Sequence, residues 1–317
     1  MKSFWLSLPR PFTVLAPMEG VTDVVFREII REIGRPDVFF TEFVNVEGLN
    51  SSGFEKVSES LDFKLKQKPI IAQLWGKEPE DFKQSAKLCK RMDFSGIDIN
   101  MGCPDRVIVN RGSCAALIKN SLLAREIIES TKDGAGGLPV SVKTRLGFDR
   151  VNLDWISFLL EQNLDAITIH LRTVLELSNF PAHWEVMSEI IKLKNELSPK
   201  TLIIGNGDIQ SLEEINEKYN TFSADGFMIG RGIFQNPWFF NKKVDIQKVT
   251  VKTRIDLYLR HINLFNKTWP NKNFAFLKKF CKTYINNFSD AAGLRDKINE
   301  STSIFQMIEI LKNYKYI

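Results

Sequence analysis

Short apolar segments of strand-like composition recur eight times in this chain, with helical patterns between them. They occupy residues 14–16, 38–41, 70–74, 96–100, 140–144, 166–170, 202–205 and 226–229. Continuous apolar runs, rather than alternating ones, are typical of parallel strands that are buried on both faces. Eight strand-then-helix units within about 240 residues predict an α/β fold, a (β/α)8 TIM barrel.

The helical patterns between these strands cover residues 22–33, 79–92, 122–131, 153–162, 184–197 and 212–219. Pro79 stands where proline is favoured in the first turn of a helix, and Ser121 and Ser211 stand where N-caps are expected. A doubly wound parallel sheet is the alternative fold. It is disfavoured because no Gly-x-Gly-x-x-Gly segment follows the first strand.

The pattern changes beyond Asn241, where helical segments follow one another without strands between them. These segments span residues 252–265, 274–288 and 303–314, and a Trp-Pro-Asn turn at 269–271 separates the first two. We therefore predict two domains: a barrel over residues 1–240 and a small all-helical domain over residues 245–317.

The C-terminal segment is also strongly basic. Residues 241–317 contain 15 Lys and Arg against 6 Asp and Glu, a balance of about +9, whereas residues 1–240 carry about −4. A mildly acidic body with a basic end indicates a polyanionic partner at that end. The alternative is an ordinary solvated basic helix surface.

Composition disfavours several other classes of protein. No apolar run reaches the roughly 18 residues of a membrane span, and residues 1–6 lack the features of a signal peptide. The four cysteines show neither a Cys-x-x-Cys pair nor zinc-site spacing. We therefore expect reduced thiols, no metal site, no membrane association and a cytoplasmic location. Nothing in the sequence indicates an obligate interface, so we expect a monomer.

Nearly every predicted strand ends in polar residues or glycine, and in a barrel those ends share one rim. Each residue alone has an ordinary structural explanation, but eight such strand ends together predict a polar cup above an apolar barrel. In strand order, the rim residues are Pro17, Met18, Glu19 and Gly20; Glu42; Gln73; Asn100 and Cys103; Lys143 and Arg145; His170 and Arg172; Asn206, Gly207 and Asp208; and Gly230, Arg231 and Gly232.

Glycines follow the last two strands, where phosphate groups commonly bind in such barrels. The segments 205–207 and 230–232 allow close approach of the backbone to a ligand. Lys143, His170 and Arg231 offer positive charge for the same phosphate. Flavin mononucleotide (FMN) fits this pattern, with Gln73 and Asn100 available to the ring edges. The alternative is a pair of tight glycine turns without a ligand.

The segment Asn100-Met101-Gly102-Cys103-Pro104 places a thiol and an amide at the end of the fourth strand. A cysteine beside a ligand pocket serves as a nucleophile or a proton donor, and the alternative is a small buried residue in a tight turn. Cys114 is near enough in sequence to be considered as another acid. It is the weaker candidate because the sequence shows no tight turn before it.

Five segments occur in an order that resembles the tRNA-dihydrouridine synthase family. They are residues 16–23 (Ala-Pro-Met-Glu-Gly-Val-Thr-Asp), 100–104 (Asn-Met-Gly-Cys-Pro), 141–147 (Ser-Val-Lys-Thr-Arg-Leu-Gly), 206–208 (Asn-Gly-Asp) and 229–232 (Ile-Gly-Arg-Gly). The segment 100–104 is the most specific, since the first and last recur in other flavin barrels. The basic helical segment stands where this family has its RNA-binding domain.

The resemblance implies that NADPH, or NADH, reduces bound FMN, and that hydride then reaches C6 of a uracil in tRNA while Cys103 protonates C5. It implies a flavin site of Pro17, Met18, Glu19, Gln73, Lys143, His170, Asn206, Gly207, Asp208, Gly230 and Arg231. It also implies substrate and RNA contacts from Asn100, Arg145, Arg172, Lys278, Lys279 and Lys282. Of the neighbouring aromatic residues, Phe276 and Phe280 are expected in the helical core.

The chain departs from the family pattern at Leu171 and Cys114, where glycine is common, and at Arg106, where lysine is common. These departures concern the expected RNA contacts more than the flavin site.

Three alternatives stay open. One is an FMN barrel acting on a small molecule, like dihydroorotate dehydrogenase, which leaves the basic segment without a role. The second is a flavin-bearing RNA-binding protein with little catalysis. The third is a relative that performs different base chemistry on RNA.

Overall fold

The computed structural model describes residues 3–314, and the chain forms two compact units. Residues 3–22 and Pro36–Gly230 make up the first, whereas Asp23–Arg35 and residues 231–314 make up the second. The division into a catalytic domain over residues 1–240 and an RNA-binding domain over residues 245–317 stays a prediction. In the structure, the helix after the first strand groups with the C-terminal helices.

The first unit contains eight parallel strands whose order runs β1-β8-β7-β6-β5-β4-β3-β2. A parallel bridge between Val14 and Val38 joins the two remaining edges, so the sheet closes on itself and the predicted barrel is confirmed. The strands are β1 (Phe12–Leu15), β2 (Phe39–Asn45), β3 (Ile70–Trp75), β4 (Gly96–Met101), β5 (Val140–Arg145), β6 (Ala166–His170), β7 (Leu202–Asn206) and β8 (Gly226–Ile229).

The α-helices of the chain are numbered through both units. Those of the first unit are α2 (Val46–Leu49), α3 (Phe54–Ser58), α4 (Pro79–Arg91), α5 (Arg106–Asn110), α6 (Ser121–Ala135), α7 (Leu153–Glu161), α8 (Met187–Leu197) and α9 (Leu212–Phe222). Pro79 is the first residue of α4, as predicted. Ser211 caps α9 by accepting from the Glu214 amide at 3.1 Å, also as predicted.

One predicted cap is wrong by a residue. Asn120, not Ser121, caps α6, because its Oδ1 accepts from the Leu123 amide at 3.2 Å. Ser121 is instead the first helical residue. Asparagine and serine are comparable N-caps, so the sequence alone does not choose between neighbours.

Apolar side chains fill the end of the barrel at which the strands begin. Phe12, Ile71, Ala166 and Leu202 are buried in one cluster, and Trp5 from the segment before β1 packs into it. This plug closes the amino-terminal end of the barrel. The opposite end is therefore the one that can hold a ligand.

The second unit is helical throughout its regular structure. Its α-helices are α1 (Val24–Ile33), α10 (Gly232–Gln235), α11 (Val251–Thr268), α12 (Ala275–Lys278), α13 (Cys281–Tyr284), α14 (Ala291–Glu300) and α15 (Ile304–Lys312). Phe26 of α1 stacks on Phe280 at 5.1 Å between ring centroids, and both rings contact His261 of α11. These aromatic contacts make α1 part of the helical core.

The predicted helix over residues 274–288 is wrong, because the structure breaks it into the short helices α12 and α13. The Phe280 amide bonds to the Leu277 carbonyl three residues back, at 3.1 Å, so the turn tightens there. The predicted core position of Phe276 is also wrong, since its side chain is 46% exposed. Phe280 is buried as predicted. Among residues 3–314, no helix is both long and apolar enough to cross a membrane.

Candidate active site

Inward-facing positions of the barrel change from apolar to polar towards the carboxyl ends of the strands. On β3, Gln73 lies two residues after the buried Ile71, and on β7, Asn206 lies two residues after the buried Ile204. Alternate residues of a strand share a face, so these polar groups lie above the apolar cluster. The predicted polar cup therefore exists within the first unit.

A chain of hydrogen bonds crosses strands β3, β4 and β5 inside this cup. Ser141 Oγ donates to Asp98 Oδ1 at 2.6 Å, and Gln73 Nε2 donates to Asp98 Oδ2 at 2.8 Å. Asn100 Nδ2 then donates to Gln73 Oε1 at 3.1 Å. All four side chains are buried, so each bond fixes the orientation of the next group.

Asp98 and its partner Ser141 belong to this hydrogen-bonded network, but neither was among the site residues predicted from the sequence. Burial raises the pKa of the Asp98 carboxyl to about 6, although the bonds from Ser141 and Gln73 favour the charged form. The available signal was an aspartate between two isoleucines within a predicted buried strand. A buried carboxylate needs partners, so its presence there predicts a polar network.

Asn100 also holds the turn that carries Cys103. Its Oδ1 accepts from the Gly102 amide at 3.1 Å and from the Cys103 amide at 3.0 Å. An asparagine that caps its own turn in this way fixes the backbone after the strand. The half-buried Cys103 thiol is thereby held at the end of β4.

The second candidate acid, Cys114, lies beside the first. A hydrogen bond from the Cys114 thiol, the largest effect, lowers the pKa of Cys103 to about 7, and burial opposes it. The same bond, together with complete burial, raises the pKa of Cys114 well above its usual value. Contrary to the sequence prediction, a turn at Arg111 and Gly112 does precede Cys114. Its burial, rather than the lack of a turn, makes it the poorer acid for an external substrate.

Lys143 lies on β5 and its Nζ donates to Asn206 Oδ1 across the cup at 3.3 Å. Asn206 Nδ2 in turn donates to the Met228 carbonyl at 2.8 Å, which fixes the amide. Burial, and then the charge of Arg145, lower the pKa of Lys143 to about 8. An anion bound beside Lys143 would stabilise the charged ammonium that burial disfavours.

Three groups predicted for cofactor or RNA binding are bonded to one another at the ends of β6 and β7. Arg172 Nη1 lies 3.0 Å from His170 Nε2, and Arg172 Nη2 forms an ion pair with Asp208. Asp208 also accepts from the Ala182 amide at 2.9 Å. Arg172 is almost fully buried, so its guanidinium holds the loop after β6.

Arg145 has a similar position on the other side of that loop. Its Nε donates to the Gly102 carbonyl, and its Nη1 donates to the carbonyls of Thr173 and Leu177, each at 2.9 Å. The guanidinium is buried, and this burial lowers its pKa to about 10. Arg145 therefore joins the Cys103 turn to the loop after β6.

The loop after β1 carries three predicted flavin ligands, of which Pro17 and Met18 are half-buried and Glu19 is exposed. Met18 N donates to Thr22 Oγ1 at 2.9 Å, and Gly20 N donates to Glu42 Oε1 at 2.5 Å. Glu42, predicted as a rim residue, thus anchors this loop to β2.

The rim glycines differ in what surrounds them. A Cβ at Gly205 would lie 2.6 Å from the Trp184 ring, and one at Gly207, where φ is +139°, would lie 2.7 Å from Ala182. Packing against the protein explains both. A Cβ at Gly230 would meet only Ala16 at 3.8 Å and Met18 at 4.0 Å, so the space beside this glycine is open to a ligand.

The remaining predicted residues belong to the second unit. Arg231 precedes α10 and is exposed, as are Lys279 and Lys282. Lys278 Nζ donates to the carbonyls of Asn299 and Ser301, each at 2.7 Å, so this ammonium stabilises the end of α14. Its predicted RNA contact stays a prediction.

Comparison with known proteins gives the family. Residues 14–315 match the model of the dihydrouridine synthase family. The chain belongs to this family. It is 41% identical to a probable tRNA-dihydrouridine synthase of Staphylococcus aureus (strain MRSA252), over 99% of this chain and 96% of that protein. It is 40% identical to probable tRNA-dihydrouridine synthase 2 of Bacillus subtilis (strain 168), over 99% and 97% respectively.

Solved structures share the barrel. Morphinone reductase aligns with a TM-score of 0.53 at 14% identity, covering 75% of this chain and 87% of its own. An old yellow enzyme homologue from Zymomonas mobilis aligns with a TM-score of 0.51 at 13% identity, covering 77% and 91%. At these identities the likeness shows the fold. As a dihydrouridine synthase, the chain is a flavin-dependent oxidoreductase.

The cup suits a flavin in its chemistry. Gln73 and Asn100 present amide groups to a ring edge, Lys143 presents an ammonium and His170 an imidazole, and the gap beside Gly230 leaves room at the last strand. An isoalloxazine ring needs this mixture of amide and cationic partners over an apolar floor. In the part of the chain that the structure describes, no three metal-binding side chains cluster.

Proposed function

We propose that this dihydrouridine synthase reduces the C5–C6 double bond of a uridine in tRNA, with FMN as cofactor, NADPH as electron source and Cys103 as proton donor. FMN, when bound, supplies the hydride. The observation that carries the proposal is the Cys103 thiol, held by Asn100 at the mouth of a cup lined by Gln73, Lys143 and Asn206. NADH is the alternative reductant.

Cys103 supplies the acid that the reaction needs. Addition of hydride to C6 of uracil leaves negative charge at C5, next to the C4 carbonyl, and a proton must arrive there. A thiol with a pKa of about 7 donates this proton at neutral pH. The bonds from Asn100 to the Gly102 and Cys103 amides keep the sulfur in place during the transfer.

Lys143, His170, Gly230 and Arg231 are the proposed ligands of the FMN phosphate, and Gln73 is proposed to bind the ring. Pro17, Met18, Glu19, Asn206, Gly207 and Asp208 complete the proposed site. Burial lowers the pKa of Lys143 because it disfavours the charged ammonium, and a bound phosphate would stabilise that charged form. Asn206 positions this ammonium, and Asp208 positions Arg172.

Arg145 and Arg172 are proposed to act on the substrate through the loop that they hold. Their guanidinium groups bind the carbonyls of Thr173, Leu177 and Phe180. Phe180 is 56% exposed, so the loop presents an aromatic ring to its surroundings. Such rings stack on extruded bases in RNA-modifying enzymes.

A surface of the second unit is the proposed tRNA contact, and we name it the lysine–aromatic surface. It consists of Trp269, Lys272, Phe276 and Lys279. Lys272 Nζ lies 3.8 Å from the Trp269 ring centroid, and Lys279 Nζ lies 5.2 Å from that of Phe276. Lysine ammonium groups beside aromatic rings suit phosphates and unstacked bases. With Lys282 nearby in sequence, the surface accounts for part of the basic charge.

The proposed substrate implies activity in the cytoplasm, which agrees with four free cysteines in the structure. We further propose that the enzyme acts as a monomer. The proposed location rests on the substrate and on the unpaired cysteines, whereas the proposed monomer rests on the sequence pattern alone.

The test is an anaerobic turnover experiment on the purified holoenzyme. Its flavin is reduced with a limiting amount of NADPH, unmodified tRNA is added, and the flavin absorbance is followed. We expect rapid reoxidation, with dihydrouridine detected in the tRNA by mass spectrometry. A flavin that stays reduced with tRNAs from several sources, but is reoxidised by a small-molecule acceptor, would favour the dihydroorotate-dehydrogenase-like alternative.

A further inference from the structure

The structure brings together two thiols that lie eleven positions apart in the sequence. Cys103 ends the turn after β4, and Cys114 opens the 3-10 helix over residues 114–119. The Ala115 amide donates to the Cys103 carbonyl at 3.4 Å, which ties the two stretches of backbone together. The two thiols also influence each other's titration, since their interaction lowers the pKa of Cys103 and raises that of Cys114. Two thiols carried by backbone segments that are bonded to each other need little movement to form a covalent bond.

The local backbone fixes both sulfur atoms. Asn100 holds the Cys103 amide at 3.0 Å, and Cys114 is fully buried with a φ of +54°. That φ is in the left-handed region, which is unfavourable for a residue with a Cβ. A cysteine at this position is less favourable for the backbone than glycine, which is consistent with a role for its thiol.

The two sulfurs differ in reactivity, as an oxidisable pair requires. Cys103 is half-buried and accessible, and bonds from the Cys114 thiol and the Asp105 amide stabilise its thiolate. Cys114 is buried and retains its proton. An accessible thiolate next to a protonated thiol is the arrangement found in peroxide-sensing cysteines.

We propose that Cys103 and Cys114 are an oxidation site at which peroxide forms an intramolecular disulfide. The Cys103 thiolate attacks hydrogen peroxide, its sulfur becomes a sulfenic acid, and hydroxide leaves. The Cys114 sulfur then attacks the Cys103 sulfur, the S–O bond breaks, and the hydroxyl leaves as water with the proton of Cys114. Two thiols and one peroxide thus give one disulfide and two waters.

The pairing has a consequence for catalysis, and this part rests on the proposed function. A sulfur in a disulfide has no proton to donate, so oxidation would stop reduction of uridine. It would also protect Cys103 from irreversible oxidation to sulfinic acid, because the disulfide forms first. A thiol reductant would restore both cysteines.

The test uses the full-length holoenzyme, treated with a small excess of hydrogen peroxide and then alkylated under denaturing conditions. We expect the intact mass to fall by two hydrogens, and two of the four cysteines to escape alkylation. Peptide mapping should give a fragment that joins Cys103 to Cys114, and dithiothreitol should reverse it. Reduced thiols, a disulfide between two chains, or sulfinic acid at Cys103 with Cys114 still reduced would each overturn the proposal.

Two variants at Cys114 keep the test decisive. In Cys114→Ser, the sulfenic acid at Cys103 should persist and be trapped by dimedone. Cys114→Gly relieves the backbone strain, and the sulfenic acid at Cys103 should persist in this variant as well. Agreement between the two variants would show that the result does not come from misfolding of the serine variant. Cys89→Ser, at another buried thiol, should still form the disulfide. A Cys103–Cys114 disulfide that leaves dihydrouridine synthesis intact would instead exclude Cys103 as the proton donor while sustaining the oxidation site.

Discussion

Cys103 is where residue chemistry and proposed mechanism meet most directly. We predict that Cys103→Ala retains FMN and accepts hydride from NADPH, yet loses at least 100-fold in dihydrouridine formation, because only the proton transfer is removed. Stopped-flow absorbance separates flavin reduction from its reoxidation by tRNA. Cys89→Ala is the matched control, as its thiol is buried away from the cup. Normal turnover in Cys103→Ala would remove this thiol from the mechanism.

Lys143 gives a second prediction at the scale of the residue. Its pKa of about 8 means that the ammonium loses its proton as the pH rises from 7 to 9. We therefore predict that FMN affinity falls by about tenfold over this range, since a charge-assisted bond to the phosphate contributes about 1.5 kcal/mol or more.

Titration of the apoprotein with FMN, followed by flavin fluorescence, measures this dependence. In Lys143→Gln the affinity should be low at pH 7 and nearly constant up to pH 9. The exposed Lys66→Gln change serves as the control and should behave like the unaltered protein. A steep pH dependence that survives in Lys143→Gln would assign the effect to another group.

Side-chain hydrogen bonds to Asp98 link strands β3, β4 and β5, so the ionisation of this residue affects the stability of the barrel. The pKa of Asp98 is raised from 3.8 to about 6 in the folded protein, so the folded state binds this proton more tightly than the unfolded one. Its contribution is therefore most favourable below about pH 4 and is lost as pH rises through 6, by up to about 3 kcal/mol.

Denaturant unfolding of the barrel at pH 4, 5, 6 and 7 tests this sign. Asp98→Asn keeps the size of the side chain and removes the titration, so the difference in unfolding free energy between the two proteins should change across that window. A difference that stays constant from pH 4 to 7 would mean that Asp98 is not the titrating group. The conservative change also leaves Gln73 with an acceptor, provided that the new amide turns its oxygen towards it.

The lysine–aromatic surface lies on the turn after α11 and on α12 with the residue that follows it, and it gives a prediction about RNA. Phe276→Ala and Lys279→Gln should each weaken tRNA binding, by about 1 to 3 kcal/mol for a lost stacking contact. Lys279→Gln should also reduce the slope of log affinity against log salt by about 1, whereas Phe276→Ala should leave the slope unchanged. The exposed Lys312→Gln, in α15, is the control.

Filter binding or fluorescence anisotropy at several salt concentrations reads both quantities. Unchanged affinity in both variants, with a normal flavin spectrum, would place the RNA contact on another face of the helical unit. The exposed side chain of Phe276 makes the alanine change tolerable for the fold.

At the scale of elements, the sequence was a good guide to the strands and a poorer one to the helical end. All eight apolar runs correspond to strands, because a buried parallel strand has a distinctive composition. The break between α12 and α13 was not visible, since the apolar residues Phe274, Leu277 and Phe280 keep helical spacing across it. Lys278 looked like an RNA ligand, and only the structure shows its bonds to the end of α14.

In the whole molecule, the main surprise is the grouping of α1 with the C-terminal helices. A helix after the first strand is normally part of the barrel layer, and its apolar period does not say which surface it will meet. The structure buries the charged residues Arg27 and Glu28 of α1, which is unusual for a helix on the outside of a barrel. Likewise, the bonds that join Asp98, Gln73 and Asn100 depend on strand neighbours and register, which spacing alone does not give.

This grouping changes what a deletion can show. Removal of residues 245–317 takes away α11 and Phe280, against which Phe26 of α1 packs. We predict that the shortened chain aggregates or binds an apolar dye, because burial of each such side chain contributes about 1.5 to 3 kcal/mol. Size-exclusion chromatography and dye fluorescence test this, with the variant Lys279→Gln as the intact comparison. A monodisperse, flavin-binding shortened chain would contradict it.

The pairing of β1 with β8 also sets an order of events at the ribosome. β1 leaves the exit tunnel before the other strands, yet β8, the strand with which it pairs, is synthesised last. Helix α11, with which α1 groups, is synthesised later still. Until then an unpaired strand edge and an apolar helix face stay uncovered, and such surfaces attract chaperones and other nascent chains. A chain whose translation stops before β8 therefore cannot close the barrel, and the rate of synthesis limits how soon the edge of β1 is paired.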